Sequence, residues 1–202
     1  MKKVLTCLAL VTSLGAKANI DMGDFKIKNK NDSVYFGIGH LSNARTIRHS
    51  SGSSIASSNS GSAENYNLIL GTRTKYYGIE LDRKQLEGFS IGTAKGETGL
   101  GSKGLYSLKA IGYLPIYKFS QGQRIELFAG FGYAYAPSSV MGNASKHSYA
   151  PVFSAGLEAR VHENLSLRAG YDYYNRLNAN LKDFAPADAS LGVTSFSILL
   201  HL

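Results

Sequence analysis

The 202-residue sequence contains no tryptophan, one cysteine and no apolar run long enough to be a membrane helix beyond its first residues. A transmembrane helix needs about 20 consecutive apolar residues, so helical membrane spans are excluded. No HExxH motif and no Cys/His spacing suggests a metal, and no motif suggests a cofactor. No arginine-rich helix or zinc pattern accompanies the modest basic excess, which argues against nucleic acid as a partner. The lone cysteine, Cys7, lies in an N-terminal apolar stretch that is expected to be removed. The mature chain is then held together without a disulfide.

That N-terminus has three parts. Lys2-Lys3 is a positive lead, Val4 to Leu14 is apolar, and Ala16-Lys17-Ala18 has the form of a cleavage site. The expectation is a secretory signal peptide over residues 1–18. Removing Lys2, Lys3 and Lys17 lowers the formal charge from +8 to +5. Residues 19–31 read as a polar periplasmic lead-in, and residues 32–202 as one barrel domain.

What is abundant is tyrosine, with 13 residues, and glycine, with 22, a composition that suits closely packed strands. The most informative stretch is Arg124 to Ala136, RIELFAGFGYAYA. Ile125, Leu127, Ala129, Phe131, Tyr133 and Tyr135 share one parity; Arg124, Glu126, Phe128, Gly130, Gly132 and Ala134 share the other. A strand sends alternate side chains to opposite faces. Its length exceeds the usual 5–6 residues of a soluble strand and suits a tilted membrane crossing of roughly 9–11. The apolar parity is expected to face lipid, and the small and charged parity a barrel interior.

Seven further segments alternate in the same way: Ser33–Leu41, Tyr66–Lys75, Tyr77–Arg83, Leu105–Leu114, Tyr149–Arg160, Leu165–Tyr174 and Leu191–Leu202. Their connections run long, short, long, medium, long, short, long. Asn43–Asn65 and Lys84–Gly104 are the longest, and Pro115, which lacks an N–H, is expected to end its strand. Short periplasmic turns alternating with long outer loops are the pattern of an outer-membrane barrel. The fold expected is all-β: an eight-stranded antiparallel up-and-down transmembrane β-barrel with both termini periplasmic.

The stretches Leu127–Tyr135 and Ser154–Tyr174, with the alternating last strand, resemble the small eight-stranded outer-membrane barrels. These are the OmpA-type transmembrane domain, the opacity-type surface proteins and the outer membrane protein β-barrel domain family. The resemblance implies the cell outer membrane of a Gram-negative bacterium. One departure is the C-terminal residue, Leu202, where such barrels usually end in an aromatic.

The charges assigned inward are Arg73, Lys75, Lys109, Arg124, Arg160 and Arg168 against Glu80, Asp82, Glu126, Glu158 and Asp172. Buried charges persist when paired, and an eight-stranded barrel is just wide enough for side chains to fill. A lumen plugged by ion pairs is therefore expected, with a narrow porin-like channel as an alternative. Tyr106, Tyr135, Tyr171 and Tyr173 are expected to form interfacial girdles.

One constellation suggests chemistry. His40 and Ser42 share the outward parity at the end of the first strand, and Glu64 takes the same side at the start of the second. A serine nucleophile needs an adjacent base, and the base an orienting acid. His40-Leu41-Ser42-Asn43 resembles the His-x-Ser-Asn motif of lipid A deacylase barrels, which implies Ser42 as nucleophile, His40 as base and Glu64 as its orienter. In those enzymes the motif sits in a late strand; here it is in the first. A rim histidine beside a turn-forming Ser-Asn pair explains the same residues. The leading expectation is a monomeric structural or surface barrel. It sits in outer-membrane lipid and lipopolysaccharide, and its long extracellular loops are available to a host or matrix ligand.

Overall fold

A computed structural model describes residues 33–48, 57–59, 65–86, 90–93, 96–99, 104–120, 123–140, 144–177 and 189–202. The expected signal peptide, the lead-in and Glu64 lie outside the described residues. The strands in chain order are β1 (Ser33–Arg48), β2 (Ser57–Asn59), β3 (Tyr66–Arg73), β4 (Tyr77–Gln85), β5 (Ser90–Thr93), β6 (Gly96–Gly99), β7 (Leu105–Ser120), β8 (Gln123–Val140), β9 (Ala144–His162), β10 (Leu165–Tyr174) and β11 (Ala189–His201).

Eight of these, β1, β3, β4 and β7 to β11, pair antiparallel with their neighbours, and β1 pairs with β11 to close the cylinder. Closure gives every strand two partners, which is what a sheet needs where lipid offers no hydrogen bonds. The chain is a transmembrane β-barrel. Ser33, His201 and the turns at residues 74–76 and 163–164 share one end, here the short-turn end.

The alternation predicts the two faces of β8. Leu127, Phe131 and Tyr133 are exposed on the wall, while Glu126, Phe128 and Ala134 are buried in the lumen. Around the wall, Ile38, Ile79, Leu108, Phe153, Phe196 and Ile198 are also exposed. A continuous apolar surface of this kind suits hydrocarbon rather than water. Tyr106, Tyr135 and Tyr149 form a tilted chain of rings toward the long-loop end, with centroids 6.4 and 5.2 Å apart. Tyr77, Tyr117 and Phe119 lie exposed toward the opposite end.

Three expectations about the connections are corrected. Pro115 does not end its strand. It pairs in register with Glu126, and a bulge between Pro115 and Tyr117 absorbs the irregularity at the residue that has no N–H. The two strands stay paired through Ser120 opposite Gln123, so only two residues of the connection of middling length lie between them. Second, residues 137–140 and 144–148, expected to lie in a loop between the fifth and sixth segments, are strand. β8 and β9 pair as far as Val140 opposite Ala144, which makes a ribbon taller than a membrane crossing requires. Third, the two longest connections hold strands of their own. β2 pairs with the upper part of β1, and β5 with β6 forms a separate two-stranded hairpin.

Candidate functional site

Inside the cylinder the charges form one connected system. Arg73 from β3 donates Nη1 to Glu158 Oε1 at 3.1 Å and Nη2 to Glu126 Oε2 at 3.0 Å. Its Cζ lies 3.8 Å from the centre of the Tyr113 ring. Arg168 from β10 donates Nε and Nη2 to Glu158 Oε2 at 3.0 and 2.8 Å, and Nη1 to Glu80. Its Nη2 also reaches the Tyr113 hydroxyl at 3.1 Å. Tyr35 donates its hydroxyl to Glu80 Oε2 at 2.9 Å. The planar forks of the two arginines suit this task, since each can hold carboxylates in more than one direction.

The system continues toward the long-loop end through two lysines. Lys109 Nζ lies 3.0 Å from Glu80 and 2.5 Å from Asp82. Lys84 Nζ lies 2.7 Å from Asp82 and 2.6 Å from Asp172. Ser107 and Ser154 donate hydroxyls to Asp82 and Asp172 respectively. Glu80, Asp82 and Asp172 thus each meet cations and a neutral hydroxyl donor together, the condition under which ions tolerate desolvation.

Above this polar layer the lumen becomes apolar. Leu41, Leu86, Leu105, Val152, Leu177 and Leu191 are all buried in one cluster. Leu86 and Leu177 come from just beyond strand ends and fold inward. The sequence reading missed this cap because it collected charges, and because it assigned both leucines to loops.

Glycines make room for the larger inward groups. Tyr35 lies opposite Gly71, and a Cβ on Gly71 would collide with the Tyr35 ring. Phe128 covers Gly156, where a Cβ would meet the ring at 2.7 Å. The Phe128 ring in turn carries the Arg168 guanidinium, with Cζ 4.8 Å from its centre.

The predicted inward residues Arg73, Glu80, Asp82, Lys109, Glu126, Glu158, Arg160, Arg168 and Asp172 are buried, and Arg124 is half-buried at the short-turn mouth. Lys75 is a correction. β3 ends at Arg73, the chain bends at residues 75–76, and Lys75 is exposed with its ammonium 4.7 Å from the centre of the Tyr76 ring. Lys84 takes its place in the lumen and is 0% exposed. The signal for it was present: Gly78, Glu80, Asp82 and Lys84 share one parity, and β4 runs two residues beyond Arg83. Tyr35, Tyr113 and His201 also belong to the interior; His201 Nε2 meets the Ser166 hydroxyl at 2.9 Å.

His40 is exposed on the outer wall, opposite Tyr66 and Phe196. Ser42 falls in a bulge, where the β1–β11 register shifts between Leu41 and Asn43. Leu41 and Ala44 are both buried, and Ser42 and Asn43 between them are half-buried. Among the described residues no group of His, Cys, Asp and Glu could hold a metal ion.

No curated protein matches the chain in sequence. Among solved structures it is similar to Neisserial surface protein A, with 16% identity and a TM-score of 0.51 over 84% of this chain and 96% of that one. It is also similar to the N-terminal β-barrel domain of Pseudomonas aeruginosa OprF, with 13% identity and a TM-score of 0.48 over 85% and 98%. A third is Ail, the attachment invasion locus protein of Yersinia pestis, in complex with the heparin analogue sucrose octasulfate, at 15% identity and 0.47 over 85% and 97%. At these identities the likeness is one of fold. The OmpA-like transmembrane domain matches residues 95–197, more than half of the 202, and the chain belongs to that family of outer-membrane β-barrels.

Proposed function

We propose that this protein is a non-conducting outer-membrane barrel that acts through its long-loop end, with the short turns and both termini in the periplasm. The observation that carries the reading is the filled lumen. Arg73 bridges Glu126 and Glu158 across the interior, and the apolar cluster of Leu41, Leu86, Leu105, Val152, Leu177 and Leu191 lies above the lysine layer. A layer of packed leucines opposes the passage of water and ions, and the charges directly below it, Lys84, Lys109, Glu80, Asp82 and Asp172, are engaged with one another.

The loop-bearing end supports a surface role. β1, β8 and β9 are longer than a membrane crossing requires, so their upper ends extend beyond the lipid. A rigid scaffold presenting variable loops is a common binding arrangement. The wall contacts lipid and lipopolysaccharide, and the loops are offered to a host or matrix ligand by a monomeric barrel.

Two measurements test this. In planar bilayers the purified protein should give no stable conductance steps, and reproducible steps would replace the plug with a pore. Deleting residues 50–62 should lower the adhesion of expressing cells to host cells or matrix while the barrel still folds. Unchanged adhesion removes that loop from the proposal.

A further inference from the structure

We infer that the short-turn mouth of the barrel binds an oxyanion of the phosphate type between Arg124 and Arg160. The two residues are register partners on β8 and β9. Both take the inward parity, so two guanidiniums share one mouth. Arg160 is 7% exposed. Its Nε makes no hydrogen bond, and neither do Nε and Nη2 of Arg124, although all three atoms are buried. Arg124 Nε lies 2.9 Å from Glu126 Oε1, but as an ion pair without hydrogen-bond alignment.

Nearby anionic groups are already engaged. Glu126 receives Arg73, and Glu158 receives both Arg73 and Arg168. Ser166, the β10 partner of Arg160, is bonded to His201. The charges bear this out. Among the described residues the lumen cations are Arg73, Lys84, Lys109, Arg124, Arg160 and Arg168, and the carboxylates are Glu80, Asp82, Glu126, Glu158 and Asp172. One positive charge is in surplus. The lysines sit among Glu80, Asp82 and Asp172 toward the long-loop end, so the surplus falls at the mouth.

Two like charges facing each other across a ladder repel, and a buried N–H without an acceptor costs stability. A tetrahedral oxyanion relieves both. It neutralises the surplus and accepts from two planar forks, the geometry for which guanidinium is suited. Water satisfies the N–H groups but leaves the charge uncompensated.

The test uses the mature chain folded in a nonionic detergent and inorganic phosphate as the probe. Thermal unfolding is followed against phosphate and against chloride at equal ionic strength, with the 31P line width of phosphate read in parallel. The expected result is a saturable, phosphate-specific rise in the midpoint with line broadening. Arg160→Gln and Arg124→Gln should each weaken the apparent affinity by about tenfold or more. Arg160→Lys keeps the charge but loses the fork; it should fold if Arg160→Gln does not, and it should also bind more weakly. No phosphate-specific effect in the wild-type protein overturns the inference, as does undiminished binding in the variants. Adding short-chain phosphatidic acid separates the two sources of such a group. Displacement of phosphate assigns the site to a lipid headgroup, and retention assigns it to the free ion.

Discussion

Glu126 and Glu158 stand directly opposite one another across the β8–β9 ladder. Two carboxylates in register would repel. What holds them is Arg73, which comes from β3 on another part of the cylinder and is hydrogen-bonded to both. The pair is therefore also a cross-lumen strut, joining strands 53 and 85 residues apart in sequence.

Replacing that strut should be costly. Arg73→Met leaves two buried carboxylates facing each other with one cation fewer, and loss of one partner of a buried pair costs about 3–5 kcal/mol. The measurement is urea unfolding in detergent or vesicles, followed by tryptophan-free far-UV circular dichroism. Adding Glu126→Gln to Arg73→Met should recover part of the loss, because it removes one of the stranded charges. If the double variant is no better than the single one, the charge argument fails.

The two lysines at residues 75 and 84 should behave oppositely. Lys84→Met strips a cation from between Asp82 and Asp172 and should destabilise by about 3–5 kcal/mol. Lys75→Met, on an exposed bend, should stay within about 0.5 kcal/mol of wild type. Equal effects at both positions would contradict the placement of Lys84 in the lumen.

Gly156 tests the packing of the interior. Gly156→Ala drives a methyl group into the Phe128 ring and the backbone carbonyl of Ala169. An overpacked core position of this sort loses about 1–3 kcal/mol. Pairing it with Phe128→Leu should relieve the ring collision and return part of the stability, although the contact with the carbonyl remains.

The wall is tested from outside. Phe131 lies exposed between its register partners Ala110 and Phe153 on a face of apolar neighbours. Phe131→Arg should cost about 2–4 kcal/mol when the barrel is folded into a bilayer, the range for a cation near the midplane. In a soluble protein the same exposed substitution would be close to neutral, so the size of the loss reports lipid contact.

Ser42 offers a test of outer-wall chemistry. The β1–β11 register shifts at Ser42, two residues beyond the outward His40, and in a barrel that acts through its long-loop end the wall has no chemistry of its own. Expression of the wild-type chain and of Ser42→Ala should therefore leave the same lipid A acylation by mass spectrometry. A loss of acyl chains in the first strain that disappears in the second would make the protein an ester hydrolase.

The alternation of residues 124–136, repeated in seven further segments, was enough to suggest the barrel, its two faces and nearly all of its buried charges. A strand's side-chain period is a local property of the backbone, and a membrane wall demands it on every strand at once. Strand ends were less legible. Whether a strand continues past Pro115 or beyond Arg83 depends on the neighbour that pairs with it, and no short stretch of chain contains its neighbour. For the same reason Lys84 was read as loop and Lys75 as lumen. The connectivity of the interior was beyond the sequence altogether. That Arg73 serves Glu126 and Glu158, that leucines close the long-loop end and that Arg124 faces Arg160 follow from the register of the closed cylinder. Register is decided by pairing between segments distant in sequence, so only the tertiary structure could show which charges meet and which one is left over.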